Sequence, residues 1–102
     1  MTLKELISFL EKRDPNKIIP LGFNYPHSYK GYYRQLAFAP APNISIGEML
    51  ECAKSSIDAT FSGPKGGEYT MGEYTDVWLA EPGCLGEGIG PILLKYMMGE
   101  RP

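Results

Sequence analysis

Residues 35–57, QLAFAPAPNISIGEMLECAKSSI, hold the clearest change of period in the chain. Gln35-Leu36-Ala37-Phe38-Ala39 reads as a strand that ends at Pro40-Ala41-Pro42, because proline has no N–H to give to a sheet. Ser45, with Glu48 three residues later, is the pattern of a capping box. Ile46, Met49, Leu50, Ala53 and Ile57 then recur at helical spacing and form one apolar face. A short strand followed by an amphipathic helix is the core of the fold reading.

Upstream, Thr2 and Glu5 make a second capping box, and Leu3, Leu6, Ile7 and Leu10 form the apolar stripe of a first helix that stops at Asp14-Pro15. Ile18-Ile19, broken by Pro20 and Gly22, suggests an edge strand or extended segment. Downstream, Gly63-Pro64-Lys65-Gly66-Gly67 is a turn. Residues 68–71 and 75–80 carry β-formers around Gly72-Glu73, the pattern of a hairpin or two short strands. Pro91 suits the first position of a last helix over 92–98 with Gly99 past its end, although the run Ile92-Leu93-Leu94 leaves a terminal strand open. The expected architecture is α+β: a small, mainly antiparallel sheet with two or three packed helices, in a single domain over residues 1–102.

Composition narrows the function. Apolar residues make up 43% and charged residues 22% of the 102 positions, as in an ordinary globular domain and unlike a disordered chain or a membrane span. A net charge of -2 argues against a surface built for long nucleic acid. Two cysteines, Cys52 and Cys84, one histidine and an N-terminus that does not read as a signal peptide point to a reduced, metal-free, cytoplasmic chain without a cofactor.

The charge is unevenly placed. Residues 15–47 hold Lys17, Lys30 and Arg34 and no acid, whereas residues 48–102 hold nine acids and four bases. The acid-free stretch also carries Phe23, Tyr25, Tyr29, Tyr32, Tyr33 and Phe38, half of the twelve aromatics. Cations interleaved with tyrosines suit a ligand with phosphates and stackable bases, the cations meeting the phosphate and the ring faces the base. They equally suit tyrosines lining a small sheet with their hydroxyls in water. The candidate ligand-binding residues are His27, Ser28, Tyr29, Lys30, Tyr32 and Arg34, together with Lys65, Gly66, Gly67, Tyr69 and Thr70. Arg34 can hold a phosphate with its planar fork, and the Lys65-Gly66-Gly67 loop can present N–H groups to an anion although it is not a P-loop. Adjacent His27 and Ser28 do not make a catalytic triad, and nothing orients Cys84 toward His27, so binding without catalysis is expected.

The run Pro26-His27-Ser28-Tyr29-Lys30-Gly31-Tyr32-Tyr33, followed by Leu36-Ala37-Phe38-Ala39-Pro40, Ile46-Gly47-Glu48-Met49-Leu50, Lys65-Gly66-Gly67-Glu68-Tyr69-Thr70-Met71 and Thr75-Asp76-Val77-Trp78-Leu79, resembles a family of small proteins encoded by tailed bacteriophages. The likeness spans roughly residues 18 to 98, with Lys30 standing where the family has Arg and Pro64 where it tends to have an aromatic residue. By analogy of class, it implies an anti-defence sponge that sequesters a cyclic nucleotide or cyclic ADP-ribose-type immune signal in the infected host's cytoplasm without cleaving it. A homo-oligomer is expected with it, because so short a chain seldom encloses such a ligand alone. The alternative is an inhibitor that binds a host or defence enzyme through the tyrosine-rich surface.

Overall fold

The computed structural model describes residues 1–29, 32–62 and 67–100, the side chains of residues 32–34 and 62 excepted. Among them, the chain runs α1 (Leu3–Glu11), β1 (Ile18–Tyr29), β2 (Tyr32–Ser45), α2 (Ile46–Ser55), β3 (Thr60–Ser62), β4 (Glu68–Thr70), β5 (Val77–Leu79), β6 (Glu87–Gly88) and α3 (Pro91–Met97). The larger sheet has the order β1-β2-β5-β6, and β3 and β4 form a second sheet of two strands. Only the β2–β5 pairing is parallel, so the architecture is the α+β, mainly antiparallel one that the sequence predicts.

The helices begin where their caps predict. Thr2 Oγ1 accepts from the Glu5 N–H at 3.3 Å while Glu5 Oε1 accepts from the Thr2 N–H at 3.0 Å, which satisfies two otherwise orphan donors. Ser45 Oγ accepts from the Glu48 N–H at 3.1 Å and starts α2. Pro91 opens α3, and Gly99, at φ 73°, ends it in the left-handed conformation that favours glycine. The last apolar run is therefore a helix. Ile57, expected on the α2 face, falls beyond the helix end at Ser55 and is exposed.

Two corrections concern the strands. The first is length: β1 and β2 are 12 and 14 residues long and run through Pro26 and also through Pro20, Pro40 and Pro42, the prolines read as interruptions. β1 is a sheet edge, where a missing N–H breaks no ladder. β5 covers β2 only over Leu36–Phe38, so beyond it β2 has one free edge. Pro40 and Pro42 are two apart and lie opposite Phe23 and Leu21. Backbone direction alternates along a strand, so both missing donors fall on one side, and the ladder to β1 survives.

The second correction is partnership. Residues 68–70 pair with 60–62, while 77–79 join the larger sheet, so no hairpin forms around Gly72-Glu73. That turn is held instead by α1, whose first N–H groups at Leu3 and Lys4 donate to Thr75 O and Glu73 O, each at 2.8 Å. The orphan donors of a helix end outcompete a local hairpin.

The core lies between the sheet and helices α1 and α2, with Leu3, Leu6, Leu10, Phe23, Leu36, Phe38, Met49 and Met71 fully buried. Phe23 on β1 meets Phe38 on β2 with ring centroids 4.6 Å apart. A Cβ on Gly22 would lie 2.4 Å from Ile44 Cγ2 and 3.0 Å from Met49 Sδ, so glycine is what lets β1 come this close to α2. Both cysteines are free thiols, Cys52 half-buried and Cys84 exposed, and burial pushes the Cys52 thiol above its ordinary range. No helix of the described residues is long and apolar enough to cross a membrane.

Gly22→Ala is expected to lower stability by about 1–3 kcal/mol through overpacking, against about 1 kcal/mol for loss of the cap in Thr2→Ala. Urea unfolding of both variants measures this; a neutral Gly22→Ala would contradict the close packing of β1 on α2.

Candidate ligand-binding site

Side chains alternate across a strand, and partners in register share a face. His27 lies opposite Ala37, and Ala37 opposite Trp78, which sets these three in a row on the sheet face turned away from α1 and α2. Leu36, Phe38 and Val77, their neighbours in the chain, point into the core. The outer row is small and well tied. The Tyr29 ring stacks on Trp78 with centroids 4.4 Å apart and planes 7° from parallel. The Trp78 indole N–H donates to Gln35 Oε1. Tyr29 is 3% exposed despite its place near the open end of β1.

The chain after β5 folds back over this row. The Ala80 N–H donates to Phe38 O at 3.1 Å, and Ala80 O lies 2.7 Å from His27 Nε2. Six residues later, Gly86 clasps the Tyr29 hydroxyl from both sides. Its N–H donates to Tyr29 Oη at 3.0 Å, and the hydroxyl donates to Gly86 O at 3.3 Å. A Cβ at Gly86 would come within 2.7 Å of Ala80 Cβ and closer still to Leu79 O, so the turn closes only on glycine.

This arrangement decides what His27 and Ser28 can do. His27 Nδ1 faces Ser28 O at 3.0 Å and Nε2 faces Ala80 O, so both ring nitrogens meet backbone carbonyls rather than a nucleophile. A neutral imidazole donates to only one of two such acceptors. Ser28 Oγ is buried and has no hydrogen-bond partner among the described residues. The imidazole is therefore used to pin the 80–86 loop to β1.

The eleven candidates do not form one described cluster. His27 and Tyr29 stand on the outer face, with Ser28 between them in the chain. Tyr69 packs against the main core, Thr70 Oγ1 lies 3.3 Å from Thr60 Oγ1 across the small sheet, and Gly67 sits beside the Tyr69 hydroxyl. Lys30, Lys65 and Gly66 lie outside the described residues, as do the side chains of Tyr32 and Arg34, whose backbones belong to β2. Sequence reasoning left out Gln35, Trp78, Ala80 and Gly86, which complete the Tyr29 cluster. The available signal was alternation: Gln35 and Ala37 share a face, and a strand over 77–79 sets Trp78 apart from Val77 and Leu79.

Comparison with models of known families, with curated proteins and with solved structures finds no match in any of the three.

Tyr29→Phe keeps the stack and removes both hydroxyl bonds to Gly86, at an expected cost of about 1 kcal/mol. Tyr29→Ala removes the stack as well and is expected to cost clearly more. Trp78 is the only tryptophan, so its fluorescence reads the cluster directly. Emission unchanged in Tyr29→Ala would contradict the stack.

Proposed function

We propose that this protein captures a phosphorylated, nucleotide-type ligand at the turn end of the β1–β2 hairpin and holds it without turnover. In the form closest to the sequence resemblance, it is a phage anti-defence protein that sequesters a cyclic nucleotide or cyclic ADP-ribose-type signal in the cytoplasm of the infected host. The observation that carries the reading is that the acid-free stretch coincides with one structural unit, since β1 and β2 together span Ile18 to Ser45. Lys17, at the base of this ribbon, donates to Met98 O at 2.6 Å and is occupied. Lys30 follows Tyr29 in the chain and Arg34 precedes Gln35, so each of the two other cations is the sequence neighbour of one residue of the cluster around the stacked Tyr29–Trp78 pair. Cations next in sequence to members of an aromatic cluster suit a phosphate joined to a base. A second copy completing the site belongs to the proposal, because a ligand of this size fills several hundred Å³.

A second reading, an inhibitor that docks on a protein, is favoured by Leu21 and Tyr25, which are 74% and 71% exposed on edge strand β1.

A thermal-shift panel of cyclic di- and trinucleotides, cyclic ADP-ribose isomers and linear nucleotides separates the two. A ligand present at 100 times its Kd stabilises by about 2.7 kcal/mol, which raises the unfolding temperature by several degrees. Arg34→Ala is expected to weaken binding at least tenfold and leave the unliganded unfolding temperature unchanged. The ligand should be recovered intact after heat release. A flat panel contradicts capture of a nucleotide and favours the protein-docking reading.

A further inference from the structure

Residues 1–14 carry equal numbers of acids and bases, and nothing in their sequence marks a charged site. Folding separates the two signs. Lys4, Ser8 and Lys12 are spaced four apart on α1, which sets them on one exposed side of the helix, away from Leu3, Leu6 and Leu10. Lys95, on α3, joins them across a groove of about 460 Å³ whose walls also include Phe9 and Arg13.

Of the neighbouring acids, Glu5 also lines the groove, while Glu11 and Glu100 are paired with cations. Glu5 Oε1 accepts from the Thr2 N–H at 3.0 Å and the Thr2 hydroxyl at 3.1 Å, and these bonds hold its carboxyl below the usual range. Glu11 faces Lys54 of α2 at 3.5 Å. Glu100 takes both arms of the Arg13 guanidinium, at 2.7 and 2.8 Å, which lowers its carboxyl in the same way. Lys4, Lys12 and Lys95 form no ion pair among the described residues, and Lys4 Nζ rests 5.6 Å from the centre of the Tyr74 ring. A chain with a net charge of -2 thus presents one groove where the unpaired Lys4, Lys12 and Lys95 outweigh the Glu5 carboxylate, so its balance is positive.

The spacing of the lysines indicates the ligand. Lys4 and Lys12 are eight residues apart, about 12 Å along the helix, which is too long for one phosphate to bridge rigidly. Lys4 and Lys12 at the two ends, with Ser8 between them and Lys95 on the facing wall, are spaced to meet successive phosphates of a chain. We propose that the α1–α3 groove binds a linear polyphosphate chain, either free or as the tail of a nucleotide. This site is separate from the hairpin site and does not depend on it.

Inorganic tripolyphosphate is the probe, titrated by calorimetry with amide shifts followed by NMR, beside adenosine triphosphate and orthophosphate. The expected result is saturable tripolyphosphate binding, shifts over residues 4–13 and 91–95, and affinity at least tenfold above that for orthophosphate. K4Q/K12Q should weaken it at least tenfold and K95Q to a smaller degree, while K4R/K12R retains it. These lysines are at the surface, so the variants should unfold at the parent temperature. Equal affinity for tripolyphosphate and adenosine triphosphate assigns the bare phosphate chain as the recognised source; tighter binding of the nucleotide assigns the nucleotide tail. Arg34→Ala should leave tripolyphosphate affinity unchanged even if it abolishes binding at the hairpin. The proposal is overturned if tripolyphosphate does not saturate, if K4Q/K12Q binds like the parent, or if Arg34→Ala removes the binding.

Discussion

The pairing of β1 with β2 is the constraint on which the rest of the molecule depends. Register from Ile18↔Ser45 to Tyr29↔Tyr32 makes one long ribbon, and the other elements are placed by it. Ser45 is at once the last residue of β2 and the cap of α2, so the ribbon delivers the helix at a set angle. The first N–H groups of α2, at Ile46 and Gly47, donate to Lys17 O and Pro15 O in the chain that enters β1, which ties both ends of the ribbon together. β5 then pairs with β2 over Leu36–Phe38. The 80–86 loop is held in turn by His27 and Tyr29 near the far end of β1.

Sequence signals that act within one turn of chain were legible. The Thr2 and Ser45 caps, the apolar stripes of α1 and α2, and the Pro91 start and Gly99 stop of α3 all lie within a few residues of what they control. Signals that depend on a distant partner misled. Prolines at 20, 26, 40 and 42 argue locally against strands, and only the sheet order reveals that their missing donors face open edges. Gly72-Glu73 resembles a hairpin turn until the first N–H groups of α1 claim its carbonyls.

The candidate site divides in the same way. The acid-free residues 15–47 contain both strands of the ribbon, and Tyr29, a candidate from that stretch, packs in a cluster with Ala37, Ala80 and Trp78. Its partners Trp78 and Gly86 are 49 and 57 residues away and reach it through a parallel pairing and a back-folded loop, neither of which leaves a local pattern. The lysine groove was hidden for a related reason. Equal numbers of acids and bases look neutral in sequence, and the groove becomes positive because Lys54 and Arg13 pair with Glu11 and Glu100 while Lys95 joins it from α3.

The central functional claim is that the turn end of the β1–β2 ribbon is where a nucleotide lands. Its most direct test is an amide and indole NMR map recorded with the cyclic nucleotide that stabilises the protein most. The account predicts that the largest shifts fall on residues 27–36 and 78–86, with the Trp78 indole N–H moving as the site fills. Shifts concentrated elsewhere, with the ribbon's turn end and the Trp78 indole unmoved, would contradict it.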